Sequence, residues 1–454
     1  MSCPGRSRLD DPDRLFEAMR KSGVGGAFWL GATRRVAGKN ERERAILRWI
    51  AGEGEGEGEG EDCRADAIRA IEEASYRNPF TGAPCDAHEA VHILSLWQST
   101  LIANQKIVAA IGMSGWKREA IGRFLWDGEK QPPFLSAERA LALAEPGQAV
   151  AYWPSRTPAH FPAQAERAGV AAWQVEDGFL RSAGLGAECR PPLSILVDRL
   201  GGIHYDPDRA SELEHILANG EFTEPLLCRA KALREQIVAA RLGKYGIDEG
   251  APPPPLPTGR KIVLAIGQVA DDLAVTRNGQ SGMSDFMCRV RQCEPDAFII
   301  YRPHPDVMAG LRNGTVPGAE DADLVLGSGS LLALLEKAHA VHVFSSLTGF
   351  EALLRGVEVT VHGMPFYAGW GLTRDLCPVP ARRGRPLSLD ALVAGALILA
   401  PRYLDPETEL PCPPEVIVER LGRTSRRPYN VLTGFRRAYG AARLAMRPAV
   451  RRQR

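Results

Sequence analysis

The chain has 454 residues, enough for two or three domains with buried cores. Apolar residues make up 44% and charged residues 24%, as in ordinary globular proteins, and a net charge of +1 argues against a nucleic-acid binder. Nine scattered cysteines with no CxxC pair argue against a disulfide framework or a zinc site, and fit reduced thiols in a cytoplasm.

Residues 1–62 form an N-terminal segment that reads as partly helical and ends in GEGEGEGEGE (52–61). That tract has no apolar side chains to pack and its charges repel, so a flexible linker is expected. The first residues, MSCPGRSRLDDPDR, lack the apolar core of a signal peptide.

A first unit is expected over 63–250. QAVAYWP (148–154), GVAAWQVEDG (169–178) and LSILVD (193–198) read as strands, GIHYD (202–206) as a short strand or hairpin arm, and 211–242 as a long helical stretch. The run PPPPLP (252–257) is stiff and extended and reads as a connector.

A second unit is expected over 258–420. KIVLAIGQ (261–268), AFIIYRPHP (297–305), AVHVFS (340–345) and VEVTVHG (357–363) are apolar strands running into polar loops, with helices at 285–292, 330–338 and 348–354 between them. The stretch 387–400 is 14 residues long and contains Asp390, so it reads as a buried helix, not a membrane span. Strand-helix alternation predicts an α/β chain with two Rossmann-like domains and a cleft between them, a GT-B-like arrangement with ligands at the carboxyl ends of strands.

The tail, 421–454, is basic: from Arg423 onward it has ten Arg and no acidic residue. Phe435, Tyr439, Ala442 and Met446 recur at near-helical spacing. It reads either as a solvated tail or as a patch for anionic lipid at the inner membrane.

Five clusters carry polar chemistry, each with a plainer alternative. In EDGFLRSAGLG (176–186), Glu176 and Asp177 end an apolar strand; the alternative is a loop with an Arg181 ion pair. In GQVADDLAVTRNG (267–279), Asp271 and Asp272 follow a buried strand; the alternative is a helix N-cap. In YRPHPD (301–306), Pro303 and Pro305 fix His304 for anion binding, or simply build a turn. In HVFSSLTGFEALLRG (342–356), Ser345 and Ser346 could grip a phosphate at a strand-helix junction, or cap a helix. In HGMPFYAGWGLT (362–373), His362, Phe366, Tyr367 and Trp370 could form a platform around a base or sugar, or pack as a loop.

These motifs, with PLSILVD, GIHYD and ALILAPRYLDP, occur in an order that resembles the capsule polysaccharide β-Kdo transferases of the KpsC type. NPFTGAPCDAHEAV and GMSGWKREAIGRFL (112–125) resemble the start of the second transferase module of two-module members. The resemblance spans roughly residues 76–410 and one module. It departs in VADDLA, where Ala270 replaces an acidic residue, and at Arg302, where Lys is usual. The resemblance implies a GT-B fold, a CMP-β-Kdo donor, retention of configuration, no metal and no cofactor. It implies Asp272 as nucleophile, with Asp271 its rival, and Glu176 or Asp177 as acid/base group. His304, with Arg302 and Pro305 beside it, and Ser345 and Ser346 would hold the CMP phosphate; Glu351 would reach the ribose. Implied partners are a lipid-linked Kdo acceptor and other capsule assembly enzymes, with a cytoplasmic location, peripheral on the inner membrane. Rival readings are another CMP-sugar transferase of the sialyltransferase kind, or an inactive glycan-binding component of a capsule assembly complex.

Overall fold

The computed structural model describes residues 11–24, 30–31, 34–35, 59–182, 190–244, 246–248, 250–269, 272–278, 285–308 and 321–423. Asp271, Ala270, the tail from 424 and most of the Gly/Glu tract lie outside the described residues. The last residues of that tract, 59–61, open the helix Glu59–Glu73 rather than continuing a linker. A short amphipathic helix, Pro12–Ser22, packs Leu15, Phe16 and Met19 against Ala67, Ala70 and Val91.

Two six-stranded sheets organise the rest. The strands are β1 Ile107–Ile111, β2 Ala149–Tyr152, β3 Ala171–Asp177, β4 Ser194–Asp198, β5 Ile262–Ile266, β6 Phe298–Arg302, β7 Leu324–Val325, β8 Ala340–Val343, β9 Glu358–Val361, β10 Arg374–Asp375, β11 Pro401–Leu404 and β12 Pro411–Cys412. The second sheet runs β7-β6-β5-β8-β9-β10 and is parallel throughout. All five residues of β5 are buried, because helices cover both faces of a central parallel strand. This is the doubly wound order, and its topological switch point lies between β5 and β8.

The first sheet departs from expectation. Its order is β12-β11-β4-β3-β2-β1; only β1, β2 and β3 are parallel, and β4 runs antiparallel to β3. A parallel pair needs a crossover of a dozen or more residues, usually a helix. Here the backbone bonds beyond the two strands continue an antiparallel pairing: Gly178 N donates to Ser194 O at 2.9 Å and Leu193 N to Arg181 O at 2.6 Å. Residues 401–412, expected in the second unit, pair with β4 and complete the first sheet. GIHYD is a turn, not a strand. The expected long helix at 211–242 is two helices, Glu212–Asn219 and Glu224–Ala239, separated at Gly220 and restarted with Pro225 in the first turn. The stretch 387–400 is helical as Leu389–Val393 and Ala394–Leu399, with its first part buried. No helix among the described residues is long and apolar enough to cross a membrane.

The two halves share one apolar core. Phe179, Leu180 and Leu196 from the first pack with Val343, Phe350 and Phe366 from the second. A buried ion pair braces the same junction: Arg383 donates to Glu214 at 2.8 Å, with both side chains at most 5% exposed.

Candidate active site

The carboxyl ends of β3, β5, β6 and β8 open on one cavity of about 400 Å³, within the range of small-molecule sites. Asp177, His204 and Tyr205 line it from the first half, and Asp272, His304 and Ser345 from the second. Lys244 joins them from the turn between Leu242–Gly243 and Gly246–Ile247.

The first wall is the end of β3 at Asp177; Glu176, one residue earlier, does not line the cavity. Gly178 is required by close approach: a Cβ there would sit 2.3 Å from Ser194 Oγ and 2.8 Å from Ser194 Cβ. Asp177 is doubly paired. Lys117 Nζ lies 3.1 Å from each of its oxygens, and Arg181 Nε donates at 2.7 Å. Burial alone would raise its carboxyl, but Arg181 and then Lys117 outweigh burial and hold it at about 2. Glu176 behaves oppositely. Burial, then the Asp177 charge, push it up to about 7, and Asp272 adds to the rise. The Arg181 pairing offered as the plainer alternative is therefore real for Asp177 and absent for Glu176, whose Oε1 accepts from the Asp177 amide at 3.0 Å.

Across the cavity, Asp272 is the N-cap of the short helix Leu273–Thr276, its Oδ1 accepting from Ala274 N at 3.0 Å. The plainer alternative holds and does not remove it from the cavity wall. Beside it the switch point is tied together by polar bonds. Ser345 N donates to Gln268 Oε1 at 2.7 Å, Gln268 Nε2 to Ser345 Oγ at 3.2 Å, and Ser345 Oγ to Ala274 O at 2.6 Å. Ser346 Oγ accepts from Thr348 N at 3.2 Å just ahead of the helix Thr348–Leu354, whose N-cap is Leu347.

The remaining expected residues divide. His304 lines the cavity at the carboxyl end of β6, and Pro305 begins the short helix Pro305–Met308. Arg302 also reaches the wall, but its guanidinium donates to the carbonyls of Leu326, Ser328 and Gly329, so it shapes the rim. Glu351 is buried; its Oε1 accepts from Lys244 N at 2.8 Å, and burial raises its carboxyl against that bond. The aromatic cluster is mainly a packed loop. Tyr367 and Trp370 are fully buried, Tyr367 Oη donates to Ser346 O, and His362 pairs with His342 at 3.0 Å outside the cavity lining. Phe366 and Tyr367 still contribute to the cavity wall.

Sequence reasoning missed His204, Tyr205, Lys244, Gln268 and Lys117. Burial, reinforced by Lys244, lowers His204 to about 3, so its imidazole is neutral at ordinary pH. Its ring meets Phe179 edge-on at 5.1 Å. The signal for it was the His-Tyr pair of GIHYD, two polar rings in a segment taken for a strand.

Comparison with known proteins agrees with this architecture. The model of the family "capsule polysaccharide biosynthesis protein" matches residues 148–242 and 248–403. The chain is 35% identical over 355 residues to capsule polysaccharide modification protein LipA of Neisseria meningitidis serogroup B, covering 75% of this chain and 49% of LipA. It is 37% identical over 321 residues to lipopolysaccharide-processing protein LpsZ of Rhizobium meliloti, covering 68% of this chain and 72% of LpsZ. Two solved structures from Thermosulfurimonas dismutans, KpsC β-Kdo 2,4 transferase and KpsC β-Kdo 2,7 transferase, are similar with TM-scores of 0.60 and 0.57 and identities of 31% and 29%. Each similarity covers 69% of this chain and 98% of the solved one. The chain spans about half the length of the LipA proteins it matches. This chain belongs to the capsule polysaccharide biosynthesis protein family and is KpsC-like.

Proposed function

We propose that this chain is a glycosyltransferase that moves Kdo from CMP-Kdo to a Kdo-terminated glycolipid, with retention of configuration, in a GT-B-like cleft. The observation that carries the reading is the convergence on one cavity of Asp177, at the end of β3, and the helix-capping carboxylate Asp272, with Glu176, pushed up to about 7, next to Asp177 on the same strand. The KpsC structures named above are β-Kdo transferases and support the sugar.

CMP departs as a phosphate anion, which needs donors or positive charge. His304 and the Ser345-Ser346 pair supply these in this reading, and neither a metal nor a cofactor takes part. The bond from the anomeric carbon to phosphate breaks as a bond from Asp272 forms. The acceptor hydroxyl then attacks that carbon, displaces Asp272 and gives its proton to Glu176. Two displacements restore the starting configuration. Asp177, held ionised by two cations, is the weaker candidate for that proton, and Arg302 shapes the site without touching the nucleotide. The lipid-linked acceptor places the chain at the cytoplasmic face of the inner membrane, with the Arg-rich tail as its contact. Other capsule enzymes supply whatever linkages this single module does not.

The test is incubation with CMP-Kdo and a synthetic Kdo-terminated glycolipid, followed by mass and linkage analysis, with CMP-sialic acid as the competing donor. One added β-Kdo is expected. Preference for CMP-sialic acid, or no acceptor-dependent CMP release, contradicts the reading.

A further inference from the structure

Lys117 has an unusual setting for a lysine. It sits in the helix Gly115–Phe124 that follows β1, and only 8% of it is exposed, whereas lysines are almost never buried unless paired. Its ammonium is 3.1 Å from both oxygens of Asp177, and the Trp153 ring centroid is 3.6 Å away, with the Trp116 ring at 5.3 Å. Two indoles and a bidentate carboxylate therefore fix a charge that water would otherwise stabilise.

The position matters because Asp177 and Glu176 are neighbours, and either could take a proton. With Arg181 also donating to Asp177 at 2.7 Å, two cations hold the same one of the two carboxylates. We propose that Lys117 is a positioning residue for the transfer: locked between Asp177 and Trp153, it pins Asp177 as a permanent anion and leaves proton exchange to Glu176 alone. The inference rests on the glycosyltransferase reading above.

Charged and titratable groups reach Glu176 from four elements: Asp177 on β3, Lys117 from its helix, Asp272 from the cap after β5, and Tyr205 from the turn at 202–206. Lys117 is the cation among them, and it opposes the rise that burial and Asp177 impose on Glu176. A neighbouring opposite charge moves a carboxyl by about one unit or more. Removing it raises Glu176 further, and a base that must be ionised then needs a higher pH to work.

The experiment is the pH profile of kcat/KM for CMP-Kdo transfer in the full chain and in Lys117→Met, Lys117→Gln and Lys117→Arg. For Met and Gln, the acid limb is expected to move about one unit toward alkaline pH, a roughly tenfold extra loss on the acid side that fades by pH 9. Arg, which keeps the charge, is expected to restore the wild-type limb. Gln keeps a donor to Asp177 and serves if Met fails to fold. A uniform fall in rate with an unmoved limb, or an Arg variant shifted like Gln, overturns the proposal. If the wild-type chain transfers no Kdo at all, the glycosyltransferase reading fails separately. The Glu176 carboxyl carbon is then titrated by NMR in wild type and Lys117→Gln: an upward shift supports the role of Lys117, and no shift refutes it.

Discussion

The Asp177 amide donates to Glu176 Oε1 at 3.0 Å, yet these joined neighbours ionise far apart, Asp177 at about 2 and Glu176 at about 7. Carboxyls whose surroundings drive them apart take different chemical roles. Two cations on Asp177 and burial of Glu176 are sufficient cause here.

Glu176→Gln should stabilise the fold at alkaline pH while removing transfer. The folded-state value is raised from 4.5 to about 7, so the stability Glu176 contributes is full below pH 4.5 and is lost as pH rises through 7. Gln cannot ionise and escapes that loss. Chemical denaturation should show the variant more stable than wild type at pH 8, by on the order of 3 kcal/mol at most, with the gain vanishing toward pH 4.5. Asp177→Asn should do the reverse: its stability is present above 3.8 and lost as pH falls toward 2, so the variant is weaker at pH 7 and level with wild type in strong acid.

Asp272 has two separable duties. Asp272→Asn keeps a capping oxygen for Ala274 N and should cost little stability, whereas Asp272→Ala should cost about 1 kcal/mol. Both should lose transfer by at least about a thousandfold if the carboxylate attacks the sugar. Urea midpoints alongside initial rates separate the duties. An Asn variant with near-normal turnover would confine Asp272 to capping.

Gly178→Ala should cost about 1–3 kcal/mol, since the added methyl meets Ser194 at 2.3 Å inside a packed strand pair. The expected relief is a shift of the β3 end, and with it Glu176, so turnover should fall more than donor affinity. Parallel measurement of kcat and KM checks this.

Arg383→Met removes one of two arginines on the buried Glu214, Arg382 staying on its other oxygen, and should destabilise by roughly 1–3 kcal/mol. Restoring an apolar pair with Glu214→Leu in the same chain should recover much of that loss. A thermal melt of the single and double variants gives the comparison.

The local chemistry of the second sheet was legible because it is local. Ile262–Ile266 is a continuous apolar strand and is buried at every position, and Asp272 and Ser345 follow directly from strands that a short window can recognise. The motif order carried the family. What stayed hidden depends on distant residues. β11 pairs with β4 across about two hundred residues of chain, which no periodicity records. β4 runs antiparallel to β3 through bonds such as Gly178 N to Ser194 O, between residues far apart in sequence. Lys117 looks like any helical lysine until the fold sets Asp177, 60 positions later, against it.

The most direct measurement is peptide mass spectrometry of Glu176→Gln after incubation with CMP-Kdo. Without its base the second displacement stalls, so one Kdo should accumulate on the peptide carrying Asp272, matched by released CMP. An unmodified chain, or Kdo attached at Asp177 or Glu351 while Asp272→Ala turns over normally, would contradict capture by Asp272.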